Sequence, residues 1–487
     1  MKRFQLGLLI GAIALIVLSW WNIVAARSGL VVRTLEQENI PLIYVAPALA
    51  NSGAKSVPGV LVAHGYAGSK QLMLGYAHVL AHAGYAVMLW DFDGHGANPN
   101  RLQRYDLQSN LDVGLRALLE QPEVDCTRLA VLGHSMGSGI AMSAGIQNLD
   151  RFAATIAVSP TGAAVTPQAP RNLQMQAGSW EGRFISNAER ILQTGGGENK
   201  NFAAGTAREL VIVPNVEHIT ILFSDRSHES AVRWLDATFN QTHSSSYRDR
   251  RMAWYGLHLL GGLLLIGAVA PTVAGWFEPD RMKISAIKRW GGLLLAPLPG
   301  VAGLVLLNSR INLQSLGGVQ VGGAIGLWFL IAGSIWLALL GRIPRLSGRR
   351  VAIGFGLFAL LWFAFGAMAQ VVWLQWWLIP TRLQVWLPFA IACLPWFLAS
   401  GIAQQGAGNG ERFAWWFAQS AILIGGFVLT LNFLPELGFV FLLLPLFPPL
   451  IAVLSFVVAS IDEAWISSIA SALFFGWVLA AGFPLSG

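Results

Sequence analysis

Two cysteines in 487 residues leave this chain without a disulfide framework. Cys126 lies in a stretch of mixed polarity and Cys393 in an apolar run, so pairing within one domain is not expected. Charge is scarce too: Asp, Glu, Lys and Arg make up 12% of the chain against 54% hydrophobic residues, too apolar for one soluble domain. Acidic residues are nearly missing from the centres of the apolar runs that begin near Ala253. Glu411, Glu436, Asp462 and Glu463 fall in the short connections, and His258 lies near the end of a run. Ion-coupled carriers place ionisable groups inside the bilayer, so this shortage argues against transport. The net charge of +7 follows from arginines in those same connections and does not point to nucleic acid.

What the chain has in abundance is long apolar runs. Nine of them, near 5–25, 254–275, 290–307, 321–341, 351–373, 384–403, 414–432, 437–459 and 464–484, are each long enough to cross a bilayer, which takes about 20 residues. Pro297 and Pro299 predict a kink in the third. The seventh and eighth are separated only by the breaker around Pro435. Many of the 20 tryptophans, among them Trp20, Trp21, Trp254, Trp276, Trp376 and Trp377, lie near run ends, where indole rings favour the headgroup region. The expected organisation is an N-terminal transmembrane anchor over 1–26, a globular domain over 27–250, and an all-α transmembrane domain of about eight spans over 251–487.

Lys2 and Arg3 ahead of the first run suggest a cytoplasmic N-terminus. Alternation then places Arg281, Lys283, Lys288, Arg289, Arg342, Arg345, Arg349 and Arg350 inside, against Arg310 and Arg382 outside. This puts the globular domain on the extracytoplasmic side of a multi-pass membrane protein. Arg248, Arg250 and Arg251 stand against that assignment. Val24-Ala25-Ala26 also offers a signal cleavage site, but the first apolar core is long and Trp20-Trp21 suits an anchor.

Within the globular domain, Gly133-His134-Ser135-Met136-Gly137 follows the apolar run Leu129–Leu132 and precedes a small-residue segment. Strand, tight turn and helix around G-x-S-x-G form a nucleophile elbow, in which the glycines let the backbone fold sharply enough to expose the serine hydroxyl. Further apolar runs at Ile40–Val45, Gly59–Ala63, Ala86–Trp90, Ala154–Val158, Leu173–Ala177 and Leu210–Val213 alternate with helical patterns such as Met73–Ala83, Leu111–Glu120 and Glu229–Phe239. That alternation predicts an α/β fold with a mostly parallel sheet covered by helices. Functional groups on such a sheet gather at the carboxyl ends of its strands.

Three strand ends carry candidates. After Leu210–Val213, His218 has the placement of a general base for Ser135. His134 is expected to point away from the site, His78 and His82 to pack, and His228 is the rival base. After Leu173–Ala177, Glu181 completes the chain order Ser, acid, His; Asp225 is the alternative acid, and Glu217 is expected to point elsewhere. After Gly59–Ala63, the turn His64-Gly65-Tyr66-Ala67-Gly68 can aim the Tyr66 N–H at a developing oxyanion, with the Met136 N–H as second donor. Each such donor is worth roughly 3–4 kcal/mol. His64 is expected to hold the loop through its ring. The chemistry calls for no cofactor and no metal.

With these residues in place, about residues 35–240 resemble the α/β-hydrolase superfamily in its esterase and dienelactone-hydrolase-like branch. The resemblance rests on His64-Gly65, on Asp93-Gly94-His95-Gly96 after Ala86–Trp90, on the elbow, and on His218 followed by the Trp234-Leu235 helix. It implies an acylated Ser135, His218 as base and Glu181 as orienter. The Tyr-plus-Met oxyanion pair also resembles that of cutinase-like polyester hydrolases. Two departures stand out: glutamate replaces the more usual aspartate, and the link from Val158 to Leu173 has no room for a helical cap, which predicts an open cleft. The resulting expectation is a membrane-bound serine hydrolase acting on carboxylic esters or lipids at the outer face, its partners an ester substrate and the bilayer. Acyl transfer to a membrane-held acceptor, and a non-enzymatic transporter or assembly protein with a hydrolase-like domain, remain alternatives.

Overall fold

The computed structural model describes residues 3–48, 56–103, 106–242, 245–277 and 284–486. Lys2, Arg281 and Lys283, which entered the orientation argument, lie outside these residues. The chain divides into two compact units. One comprises Trp20–Tyr255 together with Ala369–Trp377, and the other Met1–Ser19, Gly256–Met368 and Leu378–Gly487.

The first unit holds one eight-stranded sheet: β1 (Leu30–Gln37), β2 (Ile40–Pro47), β3 (Val57–Ala63), β4 (Ala86–Trp90), β5 (Val124–His134), β6 (Phe152–Val158), β7 (Leu173–Gly178) and β8 (Arg208–Val213). The spatial order is β1-β2-β4-β3-β5-β6-β7-β8. Only the β1–β2 and β2–β4 pairs are antiparallel; β4 through β8 run parallel. This is the expected α/β class. All seven apolar runs read from the sequence are strands.

β1 was not among them. It pairs with β2 through a hairpin whose two connecting residues, Glu38 and Asn39, have φ of 52° and 62°. Two left-handed residues are what a tight hairpin requires.

Every residue of β3 and β4 is buried, because a parallel strand in mid-sheet is covered on both faces. Following the apolar helix α1 (Arg3–Ala25), the helices of this unit are α2 (Leu74–His82), α3 (Leu107–Leu119), α4 (Met136–Gln147), α5 (Gly182–Thr194) and α6 (Asp225–Phe239). Two clusters of buried side chains cover the two faces of the sheet. One joins Val62, Leu132 and Ile156 to Tyr76, Leu80 and Trp234, and the other joins Leu61, Met88 and Val131 to Leu111, Leu118 and Ala141. Alternate strand residues point to opposite faces, so each cluster takes every second residue. No helix lies between β6 and β7.

The other unit is helical. Counting α1, nine helices among the described residues are long and apolar enough to cross a membrane: Arg3–Ala25, Arg251–Ala274, Ala286–Asn308, Gly322–Leu340, Gly348–Val372, Pro380–Ala403, Asn409–Phe433, Pro435–Ile461 and Ala464–Gly482. Each of the nine expected runs is one of them, which fits a multi-pass membrane protein. The third consists of Ala286–Leu295 and Pro297–Asn308, meeting where the prolines begin. Leu434, at φ −130° and ψ 68°, breaks the seventh from the eighth.

Candidate active site

Ser135 stands between the end of β5 and the start of α4 at φ 53° and ψ −119°. A non-glycine residue there costs on the order of 1–3 kcal/mol, and neighbouring bonds hold it. Its N–H donates to Val158 O (2.9 Å), and its carbonyl accepts from Ser138 N (2.8 Å), Ser138 Oγ (2.5 Å) and Thr161 Oγ1 (3.2 Å). The flanking glycines are needed for close approach. A Cβ on Gly133 would sit 2.0 Å from Gly137 O, and one on Gly137 would sit 2.5 Å from His64 O. The serine side chain is partly exposed.

His218 follows β8. Its Nε2 lies 3.0 Å from Ser135 Oγ and its Nδ1 lies 2.6 Å from Glu181 Oε1. Glu181, just past β7, is 6% exposed and uses its other oxygen to accept from Gly178 N (2.6 Å) and Ser159 Oγ (2.9 Å). A carboxylate saturated in this way can take the His218 Nδ1 proton as a hydrogen bond, which leaves the Nε2 lone pair facing the serine hydroxyl. Phe184, in the first turns of α5, stacks on the His218 ring at 4.5 Å and 20°. The structure therefore brings together Ser135, His218 and Glu181 from three strand ends.

The alternatives are elsewhere. Asp225 opens α6, where it pairs with Arg250 (3.1 Å) and Arg248 (3.8 Å). This corrects its candidacy as the acid, and it gives two of the arginines that opposed the orientation argument partners within the globular unit. Arg251 likewise pairs with Asp249 (2.7 Å). Glu217 caps the following turn by accepting from Ile219 N and Thr220 N. His228 is buried and bonded to Leu222 O (2.8 Å), edge-on to Tyr76.

His134 departs from expectation. It does not turn away: its ring lies 4.7 Å from that of His218, and its Nε2 donates to His218 O (2.9 Å). Burial, and the adjacent His218, push its basicity well below that of an ordinary histidine, so it serves as a neutral donor to the backbone of the residue it touches.

The turn after β3 runs beside the elbow, for a Cβ on Gly65 would meet the Ser135 Cβ at 3.2 Å. It closes by Gly68 N–H donating to Gly65 O (3.1 Å), with Ala67 at φ 56°. His64 Nε2 accepts from Phe92 N (3.1 Å), so its Nδ1 carries the proton and donates to Gly65 O (2.7 Å). The Tyr66 ring stands edge-on to His95 at 5.4 Å. Met136 is the first residue of α4, where a backbone N–H has no carbonyl one turn back to bind.

Sequence reasoning missed the anchor of this turn, a buried Lys70–Asp91 ion pair. The Asp91 carboxylate also accepts from Lys70 N (2.7 Å) and Ala97 N (2.8 Å), tying the turn after β3 to the Asp93-Gly94-His95-Gly96 turn. The signal was one aspartate directly after an apolar strand.

Residues 55–212 match the family described as serine aminopeptidase, S33. An uncharacterized protein of Mycobacterium tuberculosis is 28% identical over 214 residues, 40% of this chain and 74% of its own. Epoxide hydrolase A of the same organism is 30% identical over 149 residues, 30% of this chain and 42% of its own. Among solved structures, a dienelactone hydrolase from Anabaena variabilis aligns at 17% identity and a TM-score of 0.31, over 42% of this chain and 97% of its own.

Proposed function

We propose that this α/β-hydrolase is a serine hydrolase that cleaves carboxylic esters or lipids through an acyl-enzyme. The observation that carries the reading is the continuous chain from Ser135 Oγ to His218 Nε2 (3.0 Å) and from His218 Nδ1 to Glu181 Oε1 (2.6 Å). His218 takes the hydroxyl proton as Ser135 Oγ bonds to the acyl carbon, and returns it to the departing alkoxide. Water then repeats the sequence to release the acid. The N–H groups of Tyr66 and Met136 receive the oxyanion. The missing cap between β6 and β7 and the exposed Trp180 beside Glu181 favour a bulky or surface-held acyl group.

A fluorophosphonate probe is expected to label the full-length protein and to fail with Ser135→Ala and His218→Ala, alongside loss of p-nitrophenyl ester hydrolysis. Unlabelled wild-type protein overturns the assignment. The domain is proposed to face the extracytoplasmic side, from the arginine bias of the short loops. A membrane-impermeant form of the probe should label intact cells; labelling only of inverted vesicles would reverse the orientation.

A further inference from the structure

The catalytic unit includes nine residues from the far half of the chain, Ala369–Trp377, which take in the last turn of the apolar helix Gly348–Val372 and most of its connection to Pro380–Ala403. Within that unit they meet the segment directly after the oxyanion-side turn. Gln375 N donates to Ser69 Oγ (3.3 Å), and Gln71 Nε2 donates to Gln375 Oε1 (2.5 Å). All three residues are buried, at 3%, 2% and 7% exposure for Ser69, Gln71 and Gln375.

The orientation of these amides is dictated rather than assumed. Gln370 Oε1 accepts from Trp376 N (2.7 Å) and Trp377 N (3.0 Å), so Gln370 Nε2 is the atom that faces Gln375 Oε1 (3.2 Å). Gln375 Nε2 in turn donates to Trp377 O (2.7 Å). Its Oε1 is therefore the acceptor, and Gln71 must donate. Residues 69 and 71 are held by Gln375, while residue 70, between them, is held through both its N–H and its ammonium by Asp91. Ser69 is extended and Lys70–Met73 form a short 3-10 helix, so the stretch that leaves the turn is held by Gln375 at residues 69 and 71 and by Asp91 at residue 70.

We propose that Gln375 is a positioning residue for the oxyanion turn, so that stabilisation of the oxyanion depends on the connection between these two apolar helices. The inference rests on the serine-hydrolase reading. It gives the C-terminal half a part in catalysis without placing any of its side chains on the substrate. An N–H aimed at the oxyanion acts only in the transition state, so loosening it lowers kcat and leaves ground-state binding alone.

The test uses the full-length protein, with rates expressed per site titrated by fluorophosphonate so that misfolded protein is not counted. Gln375→Ala removes the side-chain contact with Gln71, together with the amide's bonds to Gln370 and Trp377, and leaves the backbone N–H of residue 375 on Ser69 Oγ. Gln71→Leu removes the same contact and leaves the amides of 370–377 satisfied. Expected for Gln375→Ala is a roughly ten-fold fall in kcat on p-nitrophenyl butyrate, less than deletion of a direct donor gives. KM should stay within about two-fold, and the Ki of butylboronic acid, whose tetrahedral Ser135 adduct places an oxygen in the hole, should rise by the same factor. Gln71→Leu should move kcat and Ki together in the same direction, and the double variant should be no worse than the worse single one. Unchanged per-site kcat in both variants overturns the proposal, as does a fall in kcat that leaves the boronate Ki unmoved. Wild-type protein that takes no probe instead overturns the parent reading, a result legible without any variant.

Discussion

Glu181 accepts three hydrogen bonds, one from His218 and two from Gly178 and Ser159 on the neighbouring strand ends. An amide in its place cannot accept at both ends, so Glu181→Gln must either turn its NH2 toward His218 or set it against Gly178 N and Ser159 Oγ. The first choice reverses the imidazole tautomer and points a proton at Ser135. A fall in kcat of about 10²- to 10⁴-fold with little change in KM is expected from steady-state kinetics. Asp225→Asn should leave kcat unchanged, since it removes only pairs with Arg248 and Arg250, which are worth at most about 1 kcal/mol at the surface. At this scale Ser135 and His218 were readable because one lies in a motif and the other in the loop after a terminal strand. The choice between Glu181 and Asp225 was not readable, because an acid in this fold is defined by which strand end it occupies and not by its neighbours in sequence. The contacts of Ser159 and Phe184 were invisible for the same reason.

The elbow is the element on which the site depends, and its tightness is specific. Gly137 lies where a Cβ would come within 2.5 Å of His64 O and 2.7 Å of Ala63 O, both backbone atoms that cannot turn aside. Gly137→Ala should therefore push α4 away from the end of β3. About 1–3 kcal/mol of destabilisation is expected from the overpacking, visible as a lower melting temperature, together with lost activity at temperatures where the variant is still folded. Strands were the most legible elements, because mid-sheet strands such as β3 and β4 are apolar on both faces. β1 was missed because Leu30–Gln37 is half-buried and includes Arg33, Glu36 and Gln37, so its alternation is diluted. The Glu38-Asn39 turn was its best signal. β7 carries buried Gln174 and Gln176, which bond to each other and to Ser230 and Ser227 beneath the sheet.

Across the whole molecule, nine apolar runs announced the helical unit, since a bilayer-length run is a pattern that needs no tertiary context. The stretch 369–377 gave no comparable sign that it belongs with the hydrolase sheet, because its two contacts there, both made by Gln375, depend on residues some 300 positions away. Four of the globular unit's histidines, His64, His78, His134 and His228, are fully buried, and burial pushes each below the ordinary range. They stay neutral when folded but take up protons near pH 6.5 when unfolded, so the stability they contribute is present above that value and is lost as pH falls through it. Each can contribute up to about 1.4 kcal/mol per pH unit below it. Melting temperature measured from pH 7.5 to 5.5 should fall steadily, and a flat profile would contradict the neutral assignment.

The most direct measurement is the site of covalent capture. Full-length protein treated with a fluorophosphonate and digested for mass spectrometry should carry one adduct, on the peptide containing Ser135. An adduct on any other side chain, or none under conditions where the protein is folded, would contradict the account.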